Sequence, residues 1–104
     1  RNADAVLNTM ATHGNVRAVF QGHAHMYNMH DAQVGPSVCR FVVTPATIEY
    51  PLAWLQLALT AERVRLQLRF LPAPILREAS RASGAGQEWR SGRQRWHECW
   101  IDLR

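Results

Sequence analysis

An α+β fold is predicted for this chain, and three observations predict it. A short amphipathic segment opens the chain, a nearly continuous apolar run follows at residues 16–21, and period-two alternation runs through residues 55–70. The opening helix spans residues 2–13. Asn2 is placed to cap it, Asp4 suits the positive end of its dipole, and Val6, Leu7, Met10 and Ala11 form its apolar stripe. Gly14 supplies the left-handed position that ends it. Val16, Ala18, Val19 and Phe20 then predict a strand buried on both faces, which one short helix cannot cover alone.

Residues 26–37 predict a polar loop closed by Gly35-Pro36. A second strand is expected over residues 38–44, and a loop over residues 45–51 carrying Glu49 and Tyr50. The cleanest pattern comes next. Leu55, Leu57 and Leu59 alternate with Gln56 and Ala58. Across Thr60-Ala61-Glu62, Val64, Leu66, Leu68 and Phe70 alternate with Arg63, Arg65, Gln67 and Arg69. This predicts an antiparallel hairpin with a buried apolar face and an Arg-bearing face in water. Pro72 and Pro74 break the strand, and Pro74 opens a short helix through Ser83, stopped by Gly84. Residues 83–94 read as a Gly-, Ser- and Arg-rich loop, and Cys99, Ile101 and Leu103 mark one face of a final strand docking on the sheet.

Composition limits what such a piece can do. At 104 residues it holds one small domain, and a hydrophobic fraction of 47% predicts a folded chain. No apolar run approaches the roughly 18 residues of a membrane span. The net charge is +4, and all 12 basic residues are Arg. They are scattered, without the basic cluster and interleaved aromatics of a nucleic-acid surface, so they read as a solvated face. Cys39 and Cys99 lie in apolar strand-like segments and are expected as reduced thiols. The first residue is Arg, not Met, so the true N-terminus is expected upstream, and compartment stays open. Gly84-Ala85-Gly86 lacks the spacing of a phosphate loop.

Gly22-His23-Ala24-His25 carries the chemistry. Alternate residues on an extended segment lie about 7 Å apart, but a turn at Ala24 redirects the two imidazoles. Two hydrolytic metal ions sit roughly 3.5–4 Å apart, so neighbouring imidazoles can take one each. Gly22 removes a side chain where the backbone approaches the ions, and Ala24 does not obstruct. Tyr27, Asn28 and His30 follow closely enough to contact substrate or support the ligands. Glu49 is a candidate to orient a ligand histidine. His13 opposes a helix dipole and needs no further role, and none is assigned to His97.

Helix, buried strand, Gly-His-x-His and polar loop, in that order, resemble the C-terminal portion of a calcineurin-like metallophosphoesterase domain. The resemblance covers residues 2–70, with Gly22, His23 and His25 as its specific core. It implies the C-terminal part of a four-layer α/β/β/α sandwich over residues 1–71, a flexible or partly helical linker over 72–95, and a docking strand over 96–104. It implies two divalent ions (Zn, Fe, Mn or Ni), a phosphate-ester substrate, and a metal-activated water. His23 would join an ion that also takes an upstream Asn and His. His25 would join the ion held by an upstream Asp-x-His, and a bridging carboxylate would also come from the missing N-terminal part of the domain. The family's Asp-x-His, Gly-Asp-x-x-Asp and Gly-Asn-His-Asp/Glu motifs do not occur here, so this chain alone is expected to be inactive. The alternatives are a β-rich binding module, or a degenerate phosphoesterase, with His23 and His25 structural.

Overall fold

The computed structural model describes residues 2–83 and 87–103. It is α+β. Helix α1 (Ala3–His13) precedes β1 (Ala18–Gln21), β2 (Asn28–Val34), β3 (Ser37–Val43), β4 (Ala53–Leu59) and β5 (Arg63–Phe70). Helix α2 (Pro74–Ala82), two 3₁₀ turns (Gln87–Ser91 and Gln94–Trp96) and β6 (Glu98–Asp102) complete it. The expected helix stop at Gly84, and the rest of the Gly84-Ala85-Gly86 stretch, lie outside the described residues.

The strands form two three-stranded sheets, ordered β1-β3-β2 and β4-β5-β6. In the first, β1 runs parallel to β3, with Phe20 opposite Val42, while β2 and β3 form an antiparallel hairpin. In the second, β5 pairs antiparallel with both neighbours, Leu55 opposite Leu68 and Val64 opposite Ile101. Residues from both sheets build one core of Tyr27, Met29, Val42, Ala53, Val64, Leu66, Leu68 and Ile101. Arg40 bridges the sheets by donating from Nη1 to the Trp100 carbonyl at 3.2 Å.

Segment 28–34 is a strand and not the polar loop that its composition predicts. The tight turn explains the difference. Gly35 has φ 58° at the first of the two residues joining Val34 to its partner Ser37, the position where a II′ hairpin turn favours glycine. Backbone pairing with β3 then holds a segment whose His30, Asp31 and Gln33 stay exposed while Met29 and Val34 are buried. Helix α1 packs on β2 so closely that a Cβ at Gly35 would meet the Ala11 backbone at 2.9 Å.

Two further expectations change. Strand β1 is shorter than residues 16–21 and lies at a sheet edge, with Phe20 37% exposed, and α1 packs against β2 rather than over it. On the hairpin of the second sheet, Val64, Leu66 and Leu68 are buried as their alternation predicts, but Leu57 and Leu59 are exposed. Both lie on the outer strand β4, beyond the reach of the facing sheet. No helix among the described residues is long and apolar enough to cross a membrane.

Candidate functional site

The histidine turn is positioned by sheet topology. Because β1 and β3 are parallel, their carboxyl ends lie side by side, and the chain must cross the end of β3 to start β2. Thr44 fixes this junction, its backbone N–H and its hydroxyl both donating to the Gln21 carbonyl, at 2.7 and 3.1 Å. The crossing segment is Gly-His-Ala-His. Carboxyl ends of parallel strands are a recurrent location for ligands in open sheets.

Both histidines have left-handed backbones, φ 78° at His23 and 55° at His25. That conformation is uncommon for a residue with a side chain, and it concentrates at sites where geometry is imposed for function. His23 is exposed and makes no hydrogen bond among the described residues. His25 is half-buried and meets Glu49, from the loop after β3, with Nδ1 2.5 Å from Oε1. A carboxylate only accepts, so the contact is made by an Nδ1–H donor, and in the neutral ring that tautomer leaves the Nε2 lone pair free.

Arg90 completes the arrangement. Its Nη1 lies 3.4 Å from Glu49 Oε1 and 3.4 Å from the His25 carbonyl. The 3₁₀ turn that carries it is bound two residues past His25, with Tyr27 N–H donating to the Arg90 carbonyl at 2.7 Å. Gly92 permits that approach. It has φ 75°, and a Cβ there would sit 2.8 Å from the Tyr27 carbonyl. Gly22 differs, since a Cβ would meet only Thr44 Oγ1, at 3.7 Å. Nothing among the described residues requires glycine at Gly22, and the space beside its backbone is open.

The remaining predicted residues separate. Tyr27 is a core side chain, 1% exposed, with its hydroxyl donating to the Trp96 carbonyl at 2.7 Å and its pKa pushed up by burial. Its phenol is therefore not available to a leaving group. Asn28 begins β2 beside the histidine turn. His30 stacks on Phe41, its cross-strand neighbour, at 5.3 Å. Glu49 alone of these residues contacts a predicted ligand.

Neither thiol is activated. Burial raises the pKa of both Cys39 and Cys99, the opposite of what a nucleophile needs. Among the described residues no group of three or more His, Cys, Asp and Glu side chains converges on a metal-sized space. The donor set nonetheless suits part of a metal centre: two imidazoles in one turn, one backed by a carboxylate through the nitrogen that would not coordinate. Arg90 was not legible in sequence. It lies 65 residues from His25 in a stretch with no periodicity, and nothing local marks it. Compared with known proteins, the chain matches no family model, no curated protein and no solved structure.

Proposed function

We propose that this chain contributes the last histidine pair of a dinuclear metal site in a phosphohydrolase acting on phosphomonoesters or phosphodiesters. The observation that carries the reading is the His25–Glu49 contact of 2.5 Å within a turn that holds both histidines in left-handed conformations. A metal-ligating histidine characteristically gives its other ring N–H to a carboxylate, which fixes the tautomer and makes the ligand more basic. In this reading the stacked sheets and α1 belong to a four-layer α/β/β/α sandwich, and the remaining ligands come from an N-terminal part of the same domain.

His23 and His25 would each hold one divalent ion, and Zn, Fe, Mn and Ni suit imidazole with carboxylates. Bound there, the ions supply a nucleophilic water at neutral pH and electrostatic stabilisation of the phosphoryl oxygens. Glu49 keeps His25 aimed, and Arg90 holds the Glu49 carboxylate against the turn. Gly22 leaves the approach open.

Substitution of either histidine tests this. In the complete protein, His23→Ala and His25→Ala should each lower phosphoesterase turnover at least about 100-fold, with the thermal melt little changed. One observation favours a second reading: the Arg90–Glu49–His25 chain joins three distant segments and gives His25 a structural use in a non-catalytic binding module or degenerate phosphoesterase. In that case His25→Ala lowers the melting temperature, and no metal-dependent turnover exists to lose.

A further inference from the structure

The segment that brings Arg90 to the histidine turn also builds a cleft beside it. The cleft, about 310 Å³, is lined by Met26, Asn28, Trp89, Arg93 and Trp96 among others. One of its walls is Met26, the residue that follows His25 in the chain. Its walls are set firmly. Tyr27 N–H binds the Arg90 carbonyl, Gly92 packs on the Tyr27 backbone, and the Tyr27 ring meets Trp96 edge-on at 6.4 Å.

The lining has a definite chemistry. Two indoles and a thioether offer flat polarisable surface, and no carboxylate lines the cleft. Trp89 is 58% exposed, an unusual cost for an indole unless something covers it. The Arg90 guanidinium lies 5.1 Å from the Trp89 ring, and that of Arg93 lies 5.6 Å from the Trp96 ring. Arg93 has no carboxylate partner among the described residues, so its charge is available to an anion. Asn28 adds an amide able to donate to, and accept from, a ring edge. The volume is at the small end of ligand sites, enough for one ring system and not for a polymer.

We propose that this cleft is the subsite for a planar aromatic group carried on a phosphate ester, with the ring against Trp89 and Trp96 and the phosphate between Arg93 and the histidine turn. It rests on the reading of His23 and His25 as metal ligands for the phosphate end only. The ring contacts are independent of metal. The site then favours aromatic phosphate esters over sugar or alkyl phosphates, and the shared chemistry covers a nucleobase and a simple aryl ring.

The test is a metal-free titration of the full chain followed by the indole N–H signals of its four tryptophans. Adenosine 5′-monophosphate, phenyl phosphate and ribose 5-phosphate are the probes. The expected result is a saturable shift of the Trp89 and Trp96 signals, with those of Trp54 and Trp100 unmoved. Shifts with both aromatic esters assign a general aryl site, and shifts with the nucleotide alone assign a nucleobase site. Losing one stacked ring weakens binding by about ten-fold, so Trp89→Ala should do so, and ribose 5-phosphate should bind at least that much more weakly. Arg93→Ala, at an exposed position, should weaken all phosphate-bearing probes together. Equal binding of ribose 5-phosphate, an unaffected Trp89→Ala variant, or no shift with either aromatic ester overturns the subsite. His25→Ala should leave the ring shifts unchanged. Unaltered metal affinity in that variant of the complete protein would sink the metal reading and leave the subsite standing.

Discussion

At the scale of single residues, the chain divides into groups whose neighbours are close in sequence and groups whose neighbours are not. The proposed ligand pair His23 and His25, with Gly22 before it, is visible in the sequence because it is defined by a spacing of two. Glu49 was singled out as a loop carboxylate able to orient a histidine, and it does meet His25, although the parallel pairing that brings the two loops together was not foreseen. Arg90 and Trp89 were not, because only the return of the chain after α2 brings them there. Tyr27 misled for a related reason: its proximity to the histidines says nothing about which way it faces, and it faces the core. Asp31 allows a prediction at this scale. Its carboxylate is hydrogen-bonded by Arg40 Nε at 2.7 Å, and that contact holds its pKa below the usual aspartate value. A depressed carboxyl stabilises the fold above the unfolded aspartate pKa of roughly 4, and the contribution is lost as pH falls through the folded value. The pair is largely exposed, so the effect is about 0–1 kcal/mol. Asp31→Asn should lower stability slightly at neutral pH and remove that part of the acid-side loss. Denaturant melts at pH 3 and pH 7 measure it; a variant with the wild-type pH slope would contradict it.

At the scale of elements, hydrophobic alternation was a sound guide where a strand had a covered face and failed where pairing came from a turn. Strand β5 is central to its sheet and alternates buried with open positions along Val64, Leu66 and Leu68. Strand β4 has the same alternation but lies at the edge, so Leu59 is 71% exposed despite its pattern. Strand β2 has no apolar alternation to see, and its existence depends on Gly35. Gly35→Ala puts a side chain at positive φ and 2.9 Å from the Ala11 backbone. It should cost about 1–3 kcal/mol by denaturant unfolding, through both turn strain and displacement of α1. An unchanged midpoint would show that α1 does not need its observed seat on the hairpin.

At the scale of the whole molecule, two small sheets share one core, and the result is a slab of 46 × 33 × 18 Å. Its radius of gyration is 15.4 Å, against about 13 Å for a compact domain of this length. A flattened shape leaves apolar side chains in water, and Phe20, Leu57, Leu59, Ile75 and Leu76 are among them. Strands β1, β2, β4 and β6 are all outermost in their sheets. Open edges beside exposed apolar residues favour pairing with another copy. The isolated chain should therefore self-associate, giving a mass well above 11.8 kDa by light scattering at micromolar concentration. A single monodisperse monomer peak would contradict that. The central claim, that the histidine turn supplies the last two ligands of a two-metal centre, is tested most directly by metal analysis of the complete protein. Two divalent ions per chain are predicted, with at least one lost in each of His23→Ala and His25→Ala while the melt stays cooperative. Metal content that is nil in the wild type, or unchanged in both variants, would contradict it.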